Sequence, residues 1–180
     1  TQTIDCNATT GNIGSVTINK TGGSLNITNT PIFIKNFTYT AGTVNWGTSI
    51  AKFGQVSTTN NPIIISNGLQ YGNVEILTGT ADTLTLTGDM IVNGSFNMNV
   101  ANIINGSSFR LRGNITVTDV AQTGTTNTII DGTTDQTITG AGTLPGNGSA
   151  ETIINKPSGN FTLLSNISFS NTNQDLRVVK

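Results

Sequence analysis

The sequence predicts an all-β chain built as a stack of short strands, a solenoid, and three observations carry that expectation. Apolar residues alternate with Thr in Val16-Thr17-Ile18, Leu84-Thr85-Leu86-Thr87, Ile115-Thr116-Val117-Thr118 and Ile138-Thr139, the period at which successive strand residues face opposite ways. Turn clusters separate these runs, among them Thr21-Gly22-Gly23, Asn67-Gly68, Asn93-Gly94, Asn105-Gly106 and Gly146-Asn147-Gly148. One strand-turn-strand unit also recurs. Ile18-Asn19-Lys20-Thr21-Gly22-Gly23-Ser24-Leu25-Asn26-Ile27 returns as Ile154-Asn155-Lys156-Pro157-Ser158-Gly159-Asn160-Phe161-Thr162-Leu163. Ile, Asn, Lys and Gly coincide, and the two later apolar positions are kept in kind.

In each short strand the apolar members are expected to face a core and the Thr members the outside, where a β-branched side chain suits a pleated surface. Helix is nearly excluded: no dozen residues carry i, i+3, i+4, i+7 apolar spacing free of Gly or β-branched runs. A β-sandwich or jelly roll fits the same strand spacing. The internal repeat favours the solenoid, because a strand-turn-strand unit that cannot bury its own face must stack on a neighbour. A weaker third copy runs from Val74-Glu75-Ile76 to Leu84-Thr85-Leu86. With roughly 20 to 27 residues per coil the chain makes about seven coils. Residues 1–180 are expected to form one domain, either a piece of a longer repeat protein or a fibre subunit.

Composition narrows the function classes. Charged residues are 9% of the chain, so the polar surface is built from Thr, Asn and Ser. A net charge of −1 argues against disorder, which needs repulsion as well as low hydrophobicity. The 8 basic residues are scattered, so no patch exists to neutralise nucleic-acid phosphates. No apolar run is long enough to span a bilayer. Cys6 is the single cysteine and cannot close an intrachain disulfide.

The pattern of Ile-Asn-Lys, small turn residues and an alternating strand, followed by Phe37-Thr38-Tyr39-Thr40-Ala41-Gly42-Thr43-Val44-Asn45, resembles the Thr/Asn/Gly-rich β-solenoid repeats of bacterial surface and adhesin-like proteins. Asp131-Gly132-Thr133-Thr134-Asp135-Gln136-Thr137-Ile138-Thr139-Gly140 is similar to the segment that often precedes such an Ile-Asn-Lys unit. The resemblance implies a right-handed parallel β-helix outside the cell or on its surface, and no particular ligand.

Catalysis is not expected. The chain has no His, which removes the commonest general base, the Ser-His-Asp and Cys-His arrangements and the commonest zinc ligand. Paired carboxylates act on glycans, and Asp82 with Asp89, or Asp131 with Asp135, supply acid pairs, although Asp in a Gly/Thr-rich turn mostly bonds its own backbone. Asp131 and Asp135 also form a weak Ca²⁺ candidate, the one cofactor considered, short of the required 6 to 8 oxygens unless carbonyls complete the shell.

Arg110 and Arg112 share one strand face and suit a carboxylate or sulfate of an acidic glycan, or else pair with Asp89 or Asp119 on adjacent coils. Trp46 and Tyr39 belong to the core or stack on sugar rings. Asn-x-Ser/Thr triplets begin at Asn7, Asn19, Asn26, Asn36, Asn93, Asn105, Asn114, Asn147, Asn160 and Asn166, close to the number chance gives in so Asn- and Thr-rich a chain.

A stack of strands ends in unpaired backbone groups. Ile13 and Ile18 near the start, with Leu176, Val178 and Val179 near the finish, are expected to meet copies of the chain or flanking repeats. The expectation is therefore a structural or adhesive extracellular module. The alternative is a glycan-binding or glycan-processing β-helix, as in a phage tail fibre.

Overall fold

The short alternating runs form strands that never pair with their immediate neighbours in sequence. Each lies instead on a strand about one coil earlier, always in parallel. The computed structural model is an all-β, parallel β-solenoid of about seven turns, and it describes residues 1–6, 12–54, 61–77, 79, 82–99, 103–119, 123–145, 150–169 and 174–179. Among the described residues there is no helix, and so none long and apolar enough to cross a membrane.

The longest sheet orders Asn12–Ile13, Ile32–Phe33, Ile50–Phe53, Asn73–Ile76, Phe96–Met98, Ile115–Val117, Gln136–Thr139 and Phe161–Leu163. One inward column climbs it from Ile13 to Phe33, Phe53, Ile76, Met98 and Val117, in steps of 20, 20, 23, 22 and 19 residues. A second sheet stacks Gln70–Tyr71, Met90–Val92, Ser108–Leu111, Asn127–Ile130, Glu151–Ile154 and Asp175–Val178. A third orders Gln2–Cys6, Val16–Asn29, Phe37–Asn45, Ile63–Ile65, Thr83–Thr87 and Ile103–Gly106. Thr143–Leu144 and Ser168–Phe169 form a short pair.

Two strands of the third sheet, Val16–Asn29 and Phe37–Asn45, are long enough to turn a corner. Their pairing slips between Ile18 and Ser24. The halves beyond the slip run beneath the second sheet, where the Trp46 indole N–H reaches the Gln70 carbonyl at 3.0 Å. Gln2–Cys6 pairs with that far half, Gln2 opposite Leu25 and Ile4 opposite Ile27. The first strand therefore lies on the same side of the solenoid as the last.

The core changes character along the stack. In the lower turns Phe33, Phe37, Phe53, Trp46 and Tyr71 pack ring on ring, with centroids 5.0–6.0 Å apart. Higher up, Thr126, Thr128, Thr143, Thr152 and Gln136 are buried among Ile130, Ile138 and Leu144. The outside explains the abundance of Asn. Asn36, Asn61, Asn73, Asn105, Asn114 and Asn127 each accept, through Oδ1, a backbone N–H one turn higher, at 2.7–3.2 Å. A carboxamide is short enough to reach the next rung and neutral enough to stack repeatedly, so it supplies partners for donors that the corners leave out of the ladders.

The recurring sequence unit is also a recurring structural unit. Gln2-Thr3-Ile4 pairs with Leu25-Asn26-Ile27, and Gln136-Thr137-Ile138 pairs with Phe161-Thr162-Leu163. Lys20 reaches the Gln2 amide oxygen as Lys156 reaches that of Gln136. Gly23 and Gly159 have φ of 70° and 74°, the left-handed conformation that closes both corners. The two copies sit at different corners of the solenoid, so the unit encodes a corner rather than a fixed side.

Candidate functional site

Arg110 and Arg112 project outward from Ser108–Leu111 and the residue after it, while Phe109 and Leu111 enter the core. Both guanidinium groups converge on Asp131, one turn higher. Arg110 donates from Nε to Oδ2 at 2.8 Å and also from Nη2 to the same oxygen, and Arg112 donates from Nε to Oδ1 at 3.4 Å. Arg112 Nη1 reaches the Asn93 Oδ1 at 3.2 Å, one turn lower. The Asp131 side chain is 7% exposed beneath arginines that are 36% and 33% exposed. Each arginine uses two of its five N–H donors, which leaves the outer edges of both forks turned to solvent.

These side chains floor an open groove of about 950 Å³, bordered by Asn93, Thr133, Asn155, Lys156, Pro157, Val178 and Val179. Lys156 stands at its edge. Its ammonium donates to the Gly132 and Thr134 carbonyls at 2.9 and 2.8 Å and to Gln136 Oε1 at 2.7 Å. Partial burial pulls its pKa below the ordinary lysine value, and Asp135 and then Asp131 oppose that shift. The buried Gln136 completes the network: it accepts the Gly132 N–H at 3.0 Å and donates to the Leu111 and Gly113 carbonyls at 3.0 and 2.8 Å. Lys156 and Gln136 were not among the expected site residues, and Asn93 was expected only as an Asn-x-Ser/Thr position. The repeated Ile-Asn-Lys was the signal for Lys156, since each copy clamps a Gln one turn below.

Several expectations are corrected. The partner of Arg110 and Arg112 is Asp131, not Asp89 or Asp119; Asp89 instead accepts the Ser108 N–H at 3.2 Å. Asp131 and Asp135 do not present as a Ca²⁺ pair, because both Asp131 oxygens receive guanidinium donors and Asp135 Oδ1 accepts the Asn160 N–H at 2.7 Å. Among the described residues no group of three or more His, Cys, Asp or Glu gathers as a metal site.

Trp46 is 4% exposed and packs on Tyr71, so it has no free face for a sugar ring. Tyr39 is half-buried, and its hydroxyl donates to the Gly42 carbonyl. Neither lines the arginine groove. Asp82 is buried and accepts the Gly79 N–H at 3.1 Å.

Of the Asn-x-Ser/Thr positions, Asn7 and Asn147 lie outside the described residues. Asn19, Asn36, Asn93, Asn114, Asn160 and Asn166 are exposed, and Asn26 and Asn105 are half-buried. Of the expected end residues, Ile18 is 5% exposed and belongs to the core. Ile13 is half-buried against the core, Leu176 and Val178 are 53% and 72% exposed, and Val179 is half-buried, its N–H bonded to the Ile154 carbonyl at 2.8 Å. No family model, curated protein or solved structure matches this chain.

Proposed function

We propose that this chain is a structural or adhesive module of an extracellular or cell-surface protein: a neutral-faced rod that further solenoid continues at its ends and that carries no catalytic chemistry of its own. The observation that carries this reading is the state of the last rung. Leu163, Phe169, Leu176 and Val178 are 40–72% exposed, whereas Ile138, Leu144, Thr152 and Ile154, one turn below, are buried or nearly so. Leu163, Phe169 and Leu176 line an apolar depression with those four residues and with Ile130, Phe161 and Ile167, and Val178 stands outside it on the same rung. Clustered apolar side chains beside open strand edges mark a surface built to be covered, and the low charge supplies little long-range repulsion to prevent it.

Light scattering across a concentration series tests the reading. The wild type is expected to associate and Val178→Lys to remain monomeric; a wild type that stays monomeric at every concentration overturns it. Purified protein is also expected to be inert toward ester, peptide and glycosidic substrates.

A second reading, adhesion to an acidic glycan, draws on the arginine groove, which gathers Arg110, Arg112 and Lys156 beside the apolar edge of Pro157, Val178 and Val179. Spare guanidinium donors suit a carboxylate or sulfate. Retention on a sulfated-polysaccharide matrix, lost in Arg110→Gln with Arg112→Gln, supports it; equal elution of the two proteins removes it.

A further inference from the structure

Resting on the reading of the chain as a rod continued at its ends, we infer that the occupant of the uncovered end is a second copy of this chain, stacked head to tail so that its Gln2–Cys6 strand adds to the free edge of Asp175–Val178. The two strands lie on the same side of the solenoid. The inward column that starts at Ile4 and Ile27 continues through Trp46 and Tyr71 and climbs in register to Ile154 and Val178. Extending that column into a second copy sets Ile4 on Val178 and Gln2 on Leu176. Ile4, 37% exposed at one end, then covers Val178, 72% exposed at the other.

Charge fits the same register. With Ile4 above Val178, the outward residues Thr3 and Asp5 fall above Arg177 and Val179, so Asp5 stands diagonally above Arg177, two residues on from its direct partner. The chain already uses this diagonal twice on this side. Arg110 faces Ile129 in the ladder and bonds Asp131, two residues on. Glu151 faces Asp175 and meets Arg177, two residues on, at 3.0 Å. Arg177 keeps 56% of its side chain exposed, and Asp5 is exposed at the opposite end.

The other sides continue too. Among the described residues, Asn12–Ile13 and Phe161–Leu163 are the first and last strands in the order of the longest sheet. A head-to-tail joint keeps every strand parallel and repeats the spacing found within the chain, whereas joining two like ends reverses strand direction. Such a contact is heterologous and does not close, so it propagates a filament.

Two experiments on the full chain test the joint. With Cys6→Ser removing the native thiol, Ile4→Cys combined with Val178→Cys places cysteines on facing strands about 4.8 Å apart, within disulfide range. Mild oxidation is expected to yield a ladder of covalent oligomers and a peptide joining position 4 to position 178. Ile4→Cys with Leu176→Cys, one column aside, is expected to give little of the corresponding peptide. In the native-thiol background, Asp5→Arg or Arg177→Asp alone is expected to weaken association about fivefold, and the two together to restore it. Oligomers without the 4-to-178 peptide and without charge restoration overturn this joint while leaving the rod reading intact; a chain that never associates overturns both.

Discussion

Replacing Gln136 by Leu isolates the clamp that ties three successive turns together. The side chain is 1% exposed and makes four hydrogen bonds: from the Gly132 N–H, from Lys156 Nζ, and to the Leu111 and Gly113 carbonyls. Leu has nearly the same volume, so the change leaves little cavity and removes only polar contacts. Three backbone groups lose a partner in or near the interior, at roughly 1–2 kcal/mol each, while the new apolar surface returns roughly 1–2 kcal/mol. Lys156 retains two carbonyl acceptors. The net loss is about 3 kcal/mol, read in urea denaturation as a lower midpoint at unchanged slope.

The chain carries its own control in Gln2, which occupies the same place in the repeated unit and meets Lys20 at 3.2 Å but is exposed. Gln2→Leu is expected to shift stability by no more than about 0.5 kcal/mol. Equal effects from the two substitutions, or a Gln136→Leu protein as stable as the wild type, would refute the claim that burial gives this clamp its value.

Three further outcomes follow from other parts of the core. Gly106 has φ of 104°, and a Cβ there would collide with the Leu86 carbonyl, so Gly106→Ala is expected to lose about 3 kcal/mol in urea denaturation, whereas Gly47→Ala, at φ 54° in open space, loses about 1 kcal/mol in the same assay. The Thr128 hydroxyl is buried with no partner among the described residues, so Thr128→Val is expected to gain about 1 kcal/mol; a loss of similar size would mean that a bridging water satisfies it. Burial raises the Tyr71 phenol above its ordinary value of 10, against the opposing hydrogen bond with Ser66. Above that pH the unfolded chain has released a proton that the folded one keeps, so stability falls as pH rises, by up to about 1.4 kcal/mol per unit, and Tyr71→Phe is expected to flatten that slope in urea midpoints between about pH 9 and 11.

The parallel stack was legible because two periods coincide in the sequence: alternation within each strand, and one strand-turn-strand unit that returns. Ile115-Thr116-Val117 reads as a strand by itself, but only the return of Ile-Asn-Lys with its Gly, at Lys20 and at Lys156, shows that strands are laid on earlier strands. What stayed hidden was which residues meet across turns. Coil steps range from 19 to 27 residues and cannot be counted from local pattern, so the sequence offers Arg110 and Arg112 the acids Asp89 and Asp119 without showing that Asp131 is the one they meet. Trp46 shows a second limit. It follows an alternating strand whose register slips at the corner, so sequence parity leaves its side undecided, and the Tyr71 ring that encloses it lies 25 positions away.

The scarcity of charge and the wealth of Asn answer the same physical demand. In a solenoid every outward residue sits directly above another from the previous turn, about 4.8 Å away, so a charged residue repeated by each coil would stack like on like. The described ion pairs avoid this by joining opposite charges on neighbouring rungs, as Lys52 does with Glu75 at 2.8 Å, and Arg110 and Arg112 do with Asp131. Elsewhere neutral carboxamides do the joining. A ladder of Asn Oδ1 to backbone N–H bonds repeats indefinitely without accumulating repulsion, and it satisfies the donors that each corner withdraws from the sheets. The corner pattern therefore places no electrostatic bound on the number of turns.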